Sequence, residues 1–172
     1  GTGGTKGLIK MTSKIPYDME NRVTRITGSR YPILLGPMRF ISLGEMAGAV
    51  SGFGGFGQIS ASGLTGDRLR EEIRKARSIT SAPVGINIPV YRPNASEALD
   101  IAIEEGVRTI TTSAGDPRKL AGRIREGGLR VLHKCSTLSM AQKAQDAGVD
   151  GIIASGTEAG GHVSREQITT FA

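Results

Sequence analysis

A double glycine followed at once by histidine, Gly160-Gly161-His162, is the most chemically suggestive stretch of the 172 residues. Glycines let the backbone come into van der Waals contact with a flat ligand, and a histidine beside that ligand titrates near neutrality and can move a proton. Earlier in the chain, Lys134 follows the apolar Val131-Leu132 and His133. A lysine drawn into low dielectric needs something anionic or electron-rich to meet it. With Lys134 facing inward, His133 points to the opposite side of the same strand and reads as structural. Asn87 lies inside the apolar run 85–90. A buried amide must find partners, so it either hydrogen-bonds a neighbouring loop or binds a ligand. Nucleophile chemistry has little support: Cys135 has only His133 nearby, two residues away on its own strand, and no G-x-S-x-G elbow occurs.

Such groups must be held by regular elements, and the chain supplies them periodically. Short apolar runs begin near Pro32, Phe56, Pro83, Thr109, Arg130 and Asp150. Between them run amphipathic stripes: Leu69, Ile73 and Ala76 share one helical face while Glu71, Arg74 and Lys75 occupy the other, with similar pairs at Leu99/Ile103, Leu120/Ile124 and Met140/Ala144. Continuous apolar strands separated by helices specify parallel βα units, because each crossover helix hides one face of the sheet. The junctions recur too. Gly106, Gly128 and Gly148 each precede an apolar residue, where a helix ends in a left-handed residue before the next strand. Asp67, Ser96, Asp116-Pro117 and Ser139 stand where helix starts want caps.

The fold expected is α/β, either an open doubly wound sheet or a (βα)₈ TIM barrel of which about six βα units are present. Six units fill residues 31–172, about 24 each, and closing eight would take about 50 more. The glycines of 52–57 lie between a helix and the second strand, the wrong place for a dinucleotide fingerprint, and read as a tight turn. Polar and glycine-rich residues gather after the strands, at 36–38, 60–63, 112–115, 133–135 and 155–162. That end of a parallel αβ domain carries the chemistry.

Charge and composition narrow the partners. The net charge of +6 divides unevenly: residues 1–30 hold Lys6, Lys10, Lys14, Arg22, Arg25 and Arg30 against Asp18 and Glu20, leaving the rest at only +2. A basic arm and seven aromatics without tryptophan argue against a nucleic-acid partner. Residues 1–10 read as an upstream remnant outside the fold. No apolar stretch is long enough for a membrane helix, and the single Cys135 can form neither an internal disulfide nor a zinc cluster, so a cytoplasmic protein with no metal is expected.

Residues 32–38 (PILLGPM), 51–60 (SGFGGFGQIS), 85–90 (GINIPV), 111–117 (TTSAGDP) and 131–162, which include HKC and EAGGH, together resemble the nitronate monooxygenase family. The resemblance runs over about residues 25–172. It implies a TIM barrel holding FMN over the strand ends. Pro37 and Met38 would lie along the flavin, Asn87 and Lys134 would contact its ring or ribityl side, Asp150 would lie near the ribityl chain, and Gly160 and Gly161 would pass close by. His162 takes the place of the catalytic base. Pro37 stands where the family usually has glycine, which removes one backbone N–H.

The implied reaction is oxidation of nitronates or nitroalkanes with O₂, on a small-molecule substrate. A flavin-dependent enoyl-acyl-carrier-protein reductase, which shares the EAGGH loop, is the alternative. Loops that hold the FMN phosphate in the family follow the last two barrel strands and have no counterpart here, so a third expectation is a catalytically inert fragment. Open sheet edges would then favour a homo-oligomer.

Overall fold

Gly106, Gly128 and Gly148 have φ of 65°, 67° and 78°, the left-handed conformation that the recurring junctions require. The three turns share one hydrogen-bond pattern, in which the following N–H reaches back five residues: Val107 to Ala102 (2.8 Å), Leu129 to Ile124 (3.1 Å) and Val149 to Ala144 (3.3 Å). Each is a Schellman turn that satisfies the last carbonyls of a helix and drops the chain into the next strand.

The computed structural model describes residues 19–160. Its elements are α1 (Arg22–Thr27), α2 (Gly44–Gly52), β1 (Gly57–Ser60), α3 (Gly66–Ile79), β2 (Val84–Pro89), α4 (Ala95–Glu104), β3 (Thr109–Ser113), α5 (Arg118–Glu126), β4 (Arg130–Cys135), α6 (Leu138–Asp146) and β5 (Gly151–Ala154). The strands form one sheet in sequence order, every neighbouring pair parallel. Consecutive parallel strands with helical crossovers make a wall of the expected barrel.

The two faces of that wall differ. Ile86, Ile110 and Val131 occupy paired positions and pack with Leu69, Ile73, Leu99 and Ile124 of the helices. Each such side chain contributes about 1.5–3 kcal/mol by leaving water. The expected stripe of α3 is realised, with Leu69, Ile73 and Ala76 all buried. Gly57 is the tightest point of this layer, because a Cβ there would overlap the Ala47 carbonyl oxygen of α2.

Three expectations are corrected. The run at Pro32 forms a single parallel bridge, Leu34 to Phe56, in place of a strand. Pro32 and Pro37 bracket it and lack N–H donors, so its ladder stops after the Leu35-to-Phe56 and Phe56-to-Ile33 bonds. Helix caps sit two residues before the expected positions at Asp67, Ser96 and Ser139: Thr65 and Asn94 precede α3 and α4, and the Thr137 hydroxyl accepts from Met140 N–H at the start of α6. Residues 22–27, inside the expected arm, are helical. Asn21 and Thr24 form a reciprocal capping box and Gly28 (φ 72°) ends the helix. The Ile26 carbonyl accepts from Thr109 Oγ1 (2.8 Å) and the Arg25 carbonyl from Arg130, which ties α1 to the amino ends of β3 and β4.

Candidate active site

The face of the sheet turned away from the helices carries amides and hydroxyls. Asn87 pairs in register with Thr111, and Thr111 with Leu132, so Lys134, two residues on, shares that face. Asn87 Nδ2 donates to Thr111 Oγ1 (2.9 Å), Thr111 Oγ1 donates to Gln58 Oε1 (2.5 Å), and Gln58 Nε2 donates to the Leu35 carbonyl (2.6 Å). All three side chains are buried. Buried amides survive because the relay satisfies them. Of the two roles open to Asn87, the structure supplies the neighbouring partner.

At the carboxyl ends of the strands the backbone is irregular. The Ser42 hydroxyl, fully buried, accepts from Met38 N–H (2.6 Å) and donates to the Met38 carbonyl (3.0 Å), folding residues 37–42 into a compact loop. After β3, Ala114 takes φ 48° and Gly115 φ 138°. A non-glycine residue in that region is strained, and such strain concentrates at functional sites. After β5, Ser155 N–H reaches the Cys135 carbonyl (3.0 Å), while its buried Oγ has no partner among the described residues.

Five of the expected site residues, Pro37, Met38, Asn87, Lys134 and Gly160, follow or lie near the strand ends on this side. Gly161 and His162 lie outside the described residues. Asp150 is a correction. It precedes β5, at the opposite end of the sheet, where its carboxylate accepts Val131 N–H (2.7 Å) and its own N–H reaches the Val131 carbonyl (2.9 Å). Its position before the strand makes it a clamp between β4 and β5.

His133 is on the helix side, as the alternation requires. It is wholly buried, its Nδ1 lies 2.7 Å from Thr112 Oγ1, and burial holds its pKa below the ordinary value. Burial likewise pushes the Cys135 thiol up to about 11, which removes it as a nucleophile at neutral pH. Asp116, at the carboxyl side of β3, is held down at about 2 by hydrogen bonds from Arg118. A cavity of about 490 Å³ opens at the other end of the sheet beside Arg77, Pro83 and Arg108. It stands apart from every polar group just described, so we place the site by chemistry and not by volume.

The family model for nitronate monooxygenase matches residues 20–171. The chain belongs to the nitronate monooxygenase family. This family is flavin-dependent. The chain is 27% identical to the nitronate monooxygenase of Pseudomonas aeruginosa, over 84% of its own length and 52% of that protein's. It is 28% identical to a Mycobacterium tuberculosis (3aS,4S,5R,7aS)-5-hydroxy-7a-methyl-1-oxo-octahydro-1H-indene-4-carboxyl-CoA dehydrogenase, over 81% of this chain and 39% of that one. Among solved structures, FabK from Thermotoga maritima superposes with a TM-score of 0.82 at 35% identity, over 86% of this chain and 48% of that one. The chain therefore spans about half or less of the length of these relatives.

Within this wall, sequence reasoning passed over Gln58, Thr111 and Glu72. Glu72 is buried on α3, where its carboxylate accepts Gly44 N–H (2.7 Å) at the start of α2 and pairs with Arg68 (2.7 Å). It thereby anchors the helix that follows the Pro37-Met38 loop. The signal was present: Glu72 falls on the stripe of Leu69, Ile73 and Ala76, where a carboxylate must be paired.

Proposed function

We propose that the protein is an FMN-dependent nitronate monooxygenase acting on small nitronates or nitroalkanes with O₂. The observation that carries this is the family match over residues 20–171 onto a parallel βα wall with a polar inner face. The described residues fit a flavin: the inner face offers a lysine and an amide, the Ser155 hydroxyl at the strand ends has no partner among the described residues, and Gly160 leaves open space where a Cβ would stand. Bound FMN supplies one-electron chemistry between the nitronate and O₂. Pro37, Met38, Gly160 and Gly161 would hold it, and Asn87 and Lys134 would meet its polar groups. The Lys134 ammonium favours negative charge at that position. Asp150 has no part in holding it. His162 takes the α-proton of a neutral nitroalkane.

The full-length protein should be yellow and oxidise nitronates without reduced nicotinamide. His162→Ala should lower turnover of neutral nitroalkanes by about 10²- to 10⁴-fold and spare much of that on preformed nitronates, whose proton is already gone. Equal loss on both substrates removes His162 as the base. NAD(P)H consumption that depends on an enoyl thioester, without nitronate oxidation, would replace this function with the reductase.

A further inference from the structure

The arginines of α3 are neutralised, Arg68 by Glu72 and Arg70, Arg74 and Arg77 by Glu105, and on α5 Arg123 pairs with Asp100. At the carboxyl ends of the strands, Arg118 is paired in the same way with Asp116. Arg39 and Arg92, at that same end, are different. Neither pairs with a carboxylate among the described residues, and each stacks on its aromatic neighbour, Arg39 over Phe40 at 4.5 Å and Arg92 over Tyr91 at 4.9 Å. The Arg92 Nε is buried and donates to nothing in the described chain. A guanidinium offers five donors in a planar fork, and a desolvated donor without an acceptor calls for one.

Both residues occupy loops at the candidate active site. Arg39 follows the Leu34 bridge and Arg92 follows β2, with its N–H on the Pro89 carbonyl (3.1 Å). The loop after β1 joins them. Gly63 sits so close to the first loop that a Cβ would meet Arg39 Nε at 2.9 Å and Phe40 Cζ at 3.0 Å, and Asn94 Nδ2 donates to the Ala61 and Leu64 carbonyls at 3.0 Å each. Tyr91 N–H continues the brace to Ala114 (3.0 Å). Phe40 holds φ 60°, uncommon for an aromatic residue, and is 55% exposed; Tyr91 is 49% exposed.

We propose that Arg39 and Arg92 form an oxyanion-binding rim that takes a carboxylate or phosphate carried by the substrate away from its reacting carbon, with Phe40 and Tyr91 flanking the apolar segment between. The rim rests on the reading of this end as the active site and leaves the reaction itself open.

The test is calorimetric titration of the full-length, FMN-loaded protein with pentanoate, n-butyl phosphate and the neutral control pentanamide. At least one anion should bind and the amide should not. R39Q and R92Q should each weaken that binding about tenfold, R92K less, with flavin content unchanged. Arg39 is exposed, so R39Q and the charge-reversed R39E decide the matter even where an Arg92 variant does not fold. Wild-type affinity in R39E, equal binding of pentanamide, or no anion binding overturns the rim. A loss of FMN affinity in R92Q with riboflavin affinity intact also overturns it, by assigning the arginines to the cofactor's phosphate. Anion binding without nitronate turnover leaves the rim standing and removes the reaction; nitronate turnover without anion binding does the reverse.

Discussion

The two ends of the sheet are made differently. At the amino ends, three identical helix turns with glycine in the left-handed position, the α1 helix and the Asp150 clamp leave the chain regular. At the carboxyl ends, the left-handed residues include Phe40 and Ala114, the hydroxyl of Ser155 has no partner among the described residues, and Met38, Phe40 and Tyr91 are exposed. Glycine at a left-handed position costs little, whereas alanine or phenylalanine there costs about 1–2 kcal/mol. One end is therefore built at low strain for stability, and the other holds strain and unsatisfied groups where a ligand is to be met.

Substitutions can break this contrast. The largest effect belongs to the packed layer: Gly57→Ala should destabilise by about 3 kcal/mol, because the backbone of α2 must move to admit the methyl group. A change under 1 kcal/mol in a denaturant melt would show that α2 is loosely held. Next comes pH. The His133 pKa is lower folded than unfolded, so the unfolded chain binds more protons below its ordinary value near 6.5. Stability should be full above that pH and fall by up to about 1.4 kcal/mol per pH unit as acid is added, levelling off below the folded value. His133→Asn keeps a partner for Thr112 but cannot titrate, and should remove that slope in urea melts between pH 5 and 7. The smallest effects form a pair of opposite sign. Gly128→Ala, in open space, should cost about 1 kcal/mol through φ alone, and Ala114→Gly should gain up to about 1 kcal/mol. If Ala114→Gly is destabilising, the strain assigned to the carboxyl end is absent.

What was legible in the sequence follows the same division. Periodic features are written locally: the stripe of Leu69, Ile73 and Ala76 and the glycines at 106, 128 and 148 each need only their own helix to be understood. The Leu34 segment looked like a strand because it is apolar, yet hydrogen bonding depends on the flanking prolines and on what pairs beside it. The α1 helix was hidden inside a basic stretch, although Asn21, Thr24 and Gly28 mark its ends. Asn87 and Lys134 were found because polar residues in apolar runs are anomalous. Gln58 and Thr111 are equally anomalous, but their partners lie 23 to 53 residues away and appear only when the register is known. Asp150 differs: the run that begins there already places it at the amino end of the last strand, and only the family resemblance put it near the ribityl chain.

The relay through Asn87, Thr111 and Gln58 has a direction. A glutamine carbonyl only accepts and an asparagine amide nitrogen only donates, so the Thr111 hydrogen must point toward Gln58 and Asn87 must present its nitrogen to Thr111. The Leu35 carbonyl in turn fixes which way Gln58 lies. Four groups thus form one oriented dipole chain whose far terminus is the Asn87 carbonyl oxygen. A backbone carbonyl on the first segment decides, through three side chains, which way the Asn87 amide is turned. Thr111→Val would cut that chain and free the Asn87 amide to rotate.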